Sequence, residues 1–248
     1  MKTVLITGAT GGIGHALAHI YAHQGHRLVL VGRRDRSELD QDFFTPENYC
    51  QVDLADASAA ETITAFMDEQ KLPSVDILIH NAGLGYYGDI AQQDPANITT
   101  LVDVNLRAPI ALTHALLPHL KRVGGKIVLI SSVVANLPAP DYAVYAATKA
   151  ALDEFGDNLR IELEHDNVSV QIIHPGATRT DMHRKSGITA QDMDTSKFPS
   201  AQAVATDIAT AIQSDSPEAT IGKANQVMRW AGKHAAGLID FALKQTRS

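Results

Sequence analysis

A tyrosine and a lysine four residues apart form a pair that could do acid–base chemistry. They are Tyr145 and Lys149, in the stretch YAATK, and Ser132 stands thirteen residues before the tyrosine. Residues four apart lie on one face of a helix, so the Lys149 ammonium can approach the Tyr145 hydroxyl. Free tyrosine has a pKa of about 10, and a neighbouring positive charge lowers that pKa toward neutrality. The pair therefore predicts a tyrosine that acts as general acid and base.

A glycine-rich segment near the N-terminus could hold a phosphate group. It reads TGATGGIG at residues 7–14 and directly follows an apolar run that predicts the first strand. Glycines permit a tight turn, and the N-terminus of the next helix offers N–H groups to an anion. We expect this segment to bind the pyrophosphate of a nicotinamide dinucleotide. Its glycines fit two spacings, because either Gly11 or Gly12 can serve as the middle glycine between Gly8 and Gly14.

The residues after the second predicted strand indicate which dinucleotide is bound. Residues 28–31 are apolar, and Gly32, Arg33 and Arg34 follow them. An acidic residue at this point would accept hydrogen bonds from the adenosine ribose, whereas a guanidinium pairs with a 2′-phosphate in forked geometry. The arginines therefore favour NADP(H), and Thr10 could add a hydroxyl contact. The alternative is that both arginines are simply solvated.

The hydrophobic pattern predicts the elements that must position these residues. Short apolar runs without polar alternation indicate buried parallel strands, and the longer segments between them indicate helices. The predicted strands lie at 4–6, 28–31, 75–79, 127–130 and 168–173, and the helices at 13–24, 57–70 and 143–165. Residues 32–48 leave room for a short helix only. The alternation predicts one α/β domain over residues 1–248, a Rossmann-type doubly wound parallel sheet with helices on both faces.

Composition and charge argue against several classes of function. The net charge of −7 gives no basic surface for nucleic acid. The single cysteine, Cys50, cannot form an internal disulfide, and no apolar run approaches the roughly 18 residues of a membrane span. We find no targeting segment and expect a cytoplasmic protein.

Histidines recur every four residues on the first predicted helix. His15, His19 and His23 lie on adjoining turns and could in principle chelate an ion. No acidic residue or cysteine stands near them in the sequence. We therefore expect a solvated helix face and no metal site.

The order of the motifs resembles that of the short-chain dehydrogenase/reductase family, in its short single-domain branch. After the glycine segment come Asn81-Ala82-Gly83, Asn105, Ser132, the tyrosine and lysine, and Pro175-Gly176, and the likeness covers residues 1 to about 180. The resemblance implies an NADP(H)-dependent oxidoreductase that interconverts a ketone or aldehyde with an alcohol by hydride transfer. It also implies a substrate lid near 181–199 and a homodimer or homotetramer.

The resemblance further implies a role for each matching residue. Tyr145 exchanges a proton with the substrate oxygen, and Ser132 orients that oxygen. Lys149 holds the nicotinamide ribose and lowers the tyrosine pKa, Asn105 supports a water route from the lysine to solvent, and Asp53 receives the adenine amino group. The implied cofactor-binding set is Gly8, Thr10, Gly12, Ile13, Gly14, Arg33, Arg34, Asp53, Leu54, Asn81, Ala82, Gly83, Tyr145, Lys149, Pro175, Gly176, Thr178 and Thr180.

Residues beside these motifs predict a mostly apolar pocket. Such a lining favours a small neutral carbonyl or alcohol substrate over a charged acid. The alternative is that many of these side chains pack the loops themselves. The candidates are Leu84, Tyr86, Tyr87, 133–137, Met182, His183, Met193 and Phe198.

Two other functions stay open. The glycine spacing that uses Gly11 is similar to that of the longer epimerase and dehydratase branch of the family. A non-catalytic regulator that binds NADP(H) is the second, although binding alone does not require Asn105, Ser132, Tyr145 and Lys149 together.

Overall fold

The computed structural model describes residues 1–188 and 194–232, and its centre is a parallel seven-stranded sheet. The spatial order is β3-β2-β1-β4-β5-β6-β7, and each neighbouring pair is parallel. The strands are β1 (Thr3–Thr7), β2 (Arg27–Gly32), β3 (Tyr49–Gln51), β4 (Ile77–His80), β5 (Lys126–Ile130), β6 (Ser169–His174) and β7 (Glu218–Thr220). The strand order reverses between β1 and β4, and sheets of this kind bind ligands at that point, outside the carboxyl ends of the strands.

Helices cover both faces of the sheet. They are α1 (Gly12–His23), α2 (Ala59–Glu69), α3 (Pro95–Val102), α4 (Ala108–Lys121), α5 (Ala143–Glu162), α6 (Asp181–Lys185) and α7 (Ala201–Ile212), and residues 223–232 are also helical. Residues of α1 and α7 pack on one face, and residues of α2, α4 and α5 pack on the other. The predicted doubly wound α/β fold is confirmed.

The two faces of the sheet explain the continuous apolar runs of the strands. Leu5 of β1 belongs to the core beneath α2, α4 and α5, whereas its neighbours Val4 and Ile6 belong to the core beneath α1 and α7. All three side chains are fully buried. Because successive side chains enter different cores, a strand of this sheet needs apolar residues at every position.

Both edge strands were missed by the sequence pattern. β3 and β7 have three residues each, and no residue of β7 is fully buried. Between β2 and β3 the structure has a single 3₁₀ turn, Arg36–Glu38, in place of the expected short helix. Asp35 begins this turn by accepting a hydrogen bond from the Ser37 N–H, which fixes the path of the chain just beyond Arg33 and Arg34.

The histidine face of α1 is partly covered by the segment that follows β2. His19 stacks on Phe43 with ring centres 4.0 Å apart, and its Nε2 lies 3.2 Å from that of His15. The prediction of a solvated helix face is therefore wrong for His15 and His19, whereas His23 is exposed. Within the described part of the chain, no cluster of three or more histidine, cysteine or acidic side chains is arranged to hold a metal ion.

No helix within residues 1–188 and 194–232 combines the length and the apolar character needed to cross a membrane. The predicted lid is described except for residues 189–193, and Met193 lies outside the described residues together with 233–248.

Candidate active site

The glycine segment forms the turn between β1 and α1, where side chains would not fit. Gly8 has a φ of +67°, and a Cβ on it would lie 2.8 Å from the Ala82 Cα. A Cβ on Gly14 would overlap the Gly8 carbonyl and the side chain of Asn81. Both glycines therefore let the first turn of α1 pack tightly against the end of β4, with the helix N-terminus facing the switch point.

The middle of the segment distinguishes the two possible spacings. Gly12 has a φ of +53°, and a Cβ there would lie 3.1 Å from Thr180 Cγ2. Gly11 instead has an extended backbone with φ −169°, and no described atom lies within 4 Å of a Cβ built on it. Because Gly12 carries the conformational requirement, the geometry favours the spacing of the short dehydrogenase branch.

Asn81 fastens the glycine turn to the end of β4. Its Nδ2 donates to the Thr7 carbonyl at 2.9 Å and to the Gly8 carbonyl at 3.3 Å. The Thr7 hydroxyl in turn accepts from the backbone N–H groups of Asn81 and Ala82, at 3.0 and 3.1 Å. These bonds hold the carboxyl ends of β1 and β4 together at the place where the dinucleotide would cross the sheet.

The two arginines after β2 differ in their partners. Arg33 Nη1 lies 3.8 Å from Asp53 Oδ2, and both side chains are well exposed. Arg34 turns toward its own loop, where Nη2 donates to the Glu38 carbonyl at 2.9 Å. An exposed ion pair contributes only about 0–1 kcal/mol, so Arg33 can exchange Asp53 for a phosphate at little cost. Of the two, Arg33 is the better placed to contact a 2′-phosphate.

Two further residues of the implied cofactor set flank these arginines. Thr10 lies against the end of β2, because a Cβ on Gly32 would come within 2.7 Å of Thr10 Cγ2. The Leu54 side chain is buried in the core beneath α2, which leaves its backbone as the part that could meet a cofactor.

Ser132 and Tyr145 meet in the cleft beyond the end of β5. Ser132 begins a 3₁₀ turn, Val133–Asn136, and accepts from the Val134 N–H at 3.3 Å. Tyr145 stands in the first turn of α5, is half-buried and lies close to Ser132. Burial raises the pKa of Tyr145, and Ser132 offsets only part of this rise. The phenol therefore keeps its proton at neutral pH.

Lys149 is buried one turn after the tyrosine. Its Nζ donates to the Ile130 carbonyl at 2.9 Å and lies 5.9 Å from the centre of the Tyr145 ring. Burial lowers the pKa of Lys149 to about 8, with Asp153 opposing the change. Burial has the largest effect on the pKa of Tyr145 in this arrangement, and the expected lowering of that pKa by Lys149 stays a prediction.

Asn105 lies fully buried in a π-helical turn, Asp103–Arg107, between α3 and α4. Its Oδ1 accepts from the Leu84 N–H at 2.8 Å, while Nδ2 donates to the Leu84 carbonyl at 2.9 Å and to Thr148 Oγ1 at 3.1 Å. A Cβ built on Gly83 would lie 3.5 Å from both Asn105 Oδ1 and Lys149 Nζ. The structure therefore brings Asn105 and Lys149 together beside the loop that follows β4.

The loop after β6 closes the other side of the cleft. The Pro175 carbonyl accepts from the Val133 N–H at 3.1 Å, and Thr178 Oγ1 donates to the Gly176 carbonyl at 3.0 Å. Thr180 caps α6 and contacts the glycine turn at Gly12. This loop thus reaches from the cleft beside Val133 to the expected phosphate site.

The candidate pocket residues divide into two groups. Tyr87 and Tyr142 form an aromatic row with Tyr145, with ring centres 5.1 and 6.0 Å apart. Tyr142 was not among the predicted pocket residues, although it lies only three positions before Tyr145. His183 instead packs among the loops, where its Nε2 bonds to the Thr178 carbonyl and its ring contacts Phe198.

Sequence reasoning also missed residues that support the site from behind. Gly176 has no room for a side chain because Asn225 lies against it. Asp153, His174 and Arg229 form a buried cluster beside Lys149. The helical spacing of Asp153 from Lys149 could have indicated this neighbour, whereas nothing in the sequence connects Arg229 to the site.

Comparison with known proteins identifies the family. A family profile described as short chain dehydrogenase matches residues 2–191. The chain is 40% identical over 189 residues to an Arabidopsis thaliana protein, 11-beta-hydroxysteroid dehydrogenase-like 3, a match that covers 73% of this chain and 60% of that protein. The chain spans about three fifths of the length of curated relatives such as this one. It belongs to the short-chain dehydrogenase/reductase family of oxidoreductases.

Solved structures agree on the fold and differ in the dinucleotide they contain. A short-chain dehydrogenase from Sphingobium yanoikuyae in complex with NADPH is 29% identical, with a TM-score of 0.77 over 100% of this chain and 94% of that one. A 4-hydroxyisoleucine dehydrogenase complexed with NADH and succinate is 25% identical, with a TM-score of 0.75 over 88% and 96%. These neighbours do not decide between NADP(H) and NAD(H) for this chain, and its preference depends on its own residues.

Proposed function

We propose that the protein is an NADP(H)-dependent carbonyl reductase or alcohol dehydrogenase that interconverts a ketone or aldehyde with an alcohol. The observation that carries this proposal is the meeting of Tyr145, Ser132 and Lys149 in one cleft, beside the glycine turn at the switch point of the sheet. A binding site alone would not need a proton donor next to a buried lysine.

The residues present fit a dinucleotide. The glycines allow a tight turn into α1, and the N-terminus of α1 would present its N–H groups to a pyrophosphate there. Arg33, exposed after the end of β2, supports NADP(H) as the residue that would pair with a 2′-phosphate, with Asp53 beside it for the adenine amino group. Ile13, Asn81, Ala82, Gly83 and the loop from Pro175 to Thr180 complete the proposed binding set.

The chain's own residues would handle the proton and the orientation of the substrate. When bound, NADP(H) supplies or accepts the hydride. Tyr145 donates its hydroxyl proton to the carbonyl oxygen in reduction, and its raised pKa keeps this proton in place at neutral pH. The Ser132 hydroxyl donates a hydrogen bond to that oxygen and fixes its position. Lys149 would hold the nicotinamide ribose, and Asn105 would support a water route to solvent.

The substrate is proposed to be a small neutral carbonyl compound or alcohol. Tyr87 and Tyr142 give one wall of the cleft an aromatic character, and Met182 of α6 approaches from the lid. Such a lining discriminates by shape and apolar contact more than by charge. The hydroxysteroid dehydrogenase-like name of the Arabidopsis relative adds a bulky apolar ketone to the candidates.

A homodimer or homotetramer is also proposed. Ile110 of α4 and Ile161 of α5 are exposed to 39% and 68%, so both helices offer an apolar side chain to a second subunit. Light scattering on the purified protein would give its oligomeric state. The cytoplasmic location stays a prediction from composition.

An epimerase or dehydratase and a non-catalytic regulator are the alternatives. The positive φ of Gly12 disfavours the first, because it supports the short-branch spacing. The deciding experiment follows NADPH or NADH oxidation by the purified protein with neutral ketones, aldehydes, diketones and one steroid ketone. Turnover with NADPH is the expected result. Tight NADPH binding without turnover on every compound would favour the regulator, and retained cofactor with no net consumption would favour the epimerase.

A further inference from the structure

A buried charged cluster joins the helical segment 223–232 to α5. Its centre is Asp153, one helical turn after Lys149. Asp153 Oδ2 accepts from His174 Nε2 at 2.9 Å and lies 3.5 Å from Arg229 Nη1. His174, Asp153 and Arg229 are all buried. Charged groups with so little access to water persist in proteins only when they are paired, so this cluster must balance its charges internally.

Glu218 completes the balance at the far end of the cluster. Its Oε2 lies 3.2 Å from Arg229 Nη2, on the side of the guanidinium away from Asp153. Glu218, Arg229 and Asp153 therefore form a chain of ion pairs from the edge strand β7 to α5. Asp153 contacts Arg229 and His174 directly, and its charge also acts on Lys149, four residues earlier on α5.

Lys149 and Asp153 share the same buried surroundings. They are four residues apart on α5 and lie on one face of it. Ser131 lies beside this part of α5, since its hydroxyl donates to the backbone carbonyl of Lys149 at 3.4 Å, and it helps to lower the pKa of Asp153. The other groups that face this space are Tyr145 on α5, the Ile130 carbonyl of β5, His174 of β6 and Arg229. Asp153 is therefore the one carboxylate among these described groups, and it can act as the counter-charge of Lys149.

We propose that Asp153 is a positioning residue for Lys149, and that Arg229 ties the helical segment 223–232 to the active site through it. The Asp153 carboxylate supplies the counter-charge that keeps the buried lysine in its ammonium form and directed at the Ile130 carbonyl. The catalytic consequence of this inference rests on the proposed function. The electrostatic relation between the two residues does not.

The direction of the charge effects agrees with this arrangement. Burial alone would raise the pKa of Asp153, but His174, Ser131 and Arg229 lower it overall and keep the carboxylate ionised. Burial lowers the pKa of Lys149 to about 8, and Asp153 acts against that change. Without the carboxylate, the ammonium would be lost within the neutral range.

The test is the titration of Lys149 itself. Lysine labelled with ¹³C at the ε carbon is followed by NMR against pH, and the Lys149 signal is assigned by its loss in Lys149→Arg. Asp153→Asn is expected to lower the Lys149 midpoint by about one pH unit or more, the usual effect of a neighbouring opposite charge. The matched control is Glu154→Gln, which removes a carboxylate from an exposed position of the same helix and should leave the midpoint in place.

The sign of the shift separates this proposal from a merely structural role. Loosened packing would admit water and raise the midpoint toward that of an ordinary lysine, whereas loss of the counter-charge lowers it. Asp153→Glu, which keeps the charge, should restore the wild-type midpoint. Asp153→Ser serves as a second neutral variant if the asparagine variant does not fold. An unchanged or raised midpoint in the neutral variants would overturn the proposal.

Activity provides a second, separable measurement. The alkaline fall of kcat for NADPH-dependent reduction should move to lower pH in Asp153→Asn by the same shift as the Lys149 midpoint. If the midpoint moves and the kcat profile does not, Asp153 still positions Lys149, and the use of Lys149 in the proposed function is contradicted instead.

Discussion

The side-chain amide of Asn105 makes two hydrogen bonds with the backbone of Leu84, one to each polar group of that residue. The two bonds resemble those between neighbouring β-strands. They hold the loop that follows Gly83 in place beside Lys149. This pairing requires the π-helical turn, which rotates Asn105 inward between α3 and α4. The local irregularity of the helix is therefore what places the amide in the site.

Asn105→Ala should destabilise the protein by about 2–4 kcal/mol, because two backbone groups of Leu84 lose their partners. The free energy of unfolding in urea measures this change. Asn158→Ala, at an exposed position of α5, is the control and should cost less than about 0.5 kcal/mol. Equal effects of the two substitutions would contradict the role assigned to the Asn105–Leu84 pairing.

Gly12→Ala should weaken NADPH binding about tenfold or more, because an alanine avoids the left-handed backbone, which costs it roughly 1–2 kcal/mol, and so distorts the turn whose N–H groups would hold the pyrophosphate. Gly11→Ala should change the Kd by no more than about twofold, because its backbone is extended and its surroundings are open. Isothermal titration with NADPH compares the pair. A stronger effect at Gly11 would favour the other glycine spacing.

Arg33→Ala should raise the Kd for NADPH about tenfold or more and leave the Kd for NADH nearly unchanged, because a charge-assisted bond to the 2′-phosphate contributes about 1.5–3 kcal/mol. Arg34→Ala should have the smaller effect, since Arg34 is engaged by Glu38. Titrations of both variants with both dinucleotides give the comparison. Parallel losses for NADPH and NADH in Arg33→Ala would reject the preference for NADP(H).

We predict that the free energy of unfolding falls in mild acid because of His80. It is buried at the end of β4, hydrogen-bonded to Thr113, and burial lowers its pKa to about 3. Below pH 6.5 the unfolded chain takes up a proton that the folded chain refuses, so the free energy of unfolding should fall by about 2 kcal/mol between pH 6.5 and 5. His80→Asn should remove this part of the slope.

Urea unfolding across this pH range tests the prediction. His23→Asn, which alters an exposed histidine of α1, is the control and should leave the wild-type slope unchanged. If wild type and His80→Asn gave parallel curves, the buried histidine would not account for the acid sensitivity.

The sequence alone predicted the central strands and the order of the motifs along the chain. Strands buried on both faces, such as β1 and β4, leave a continuous apolar run that few other structures share. The three-residue edge strands leave no such pattern, and β3 follows an irregular segment where a helix was expected. Motif spacing placed Tyr145 and Lys149 on one helix because helical periodicity is local.

Effects that arise from tertiary packing could not be obtained in this way. The raised pKa of Tyr145 comes from the protein packed around it, which no spacing in the sequence reveals. The contact of Arg229 with Asp153 joins residues far apart in the chain, so no spacing rule predicts it. The π-helical turn that brings Asn105 to Leu84 likewise depends on tertiary packing.

The most direct test of the proposed function compares NADPH consumption by wild type, Tyr145→Phe and Tyr142→Phe, with the Kd for NADPH measured on each. Both variants keep the aromatic row, and only the first removes the hydroxyl beside Ser132. Tyr145→Phe should bind NADPH normally and lose roughly 10²–10⁴-fold in kcat, while Tyr142→Phe stays active. Turnover by Tyr145→Phe at close to the wild-type rate would contradict the assignment of Tyr145 as the general acid and base.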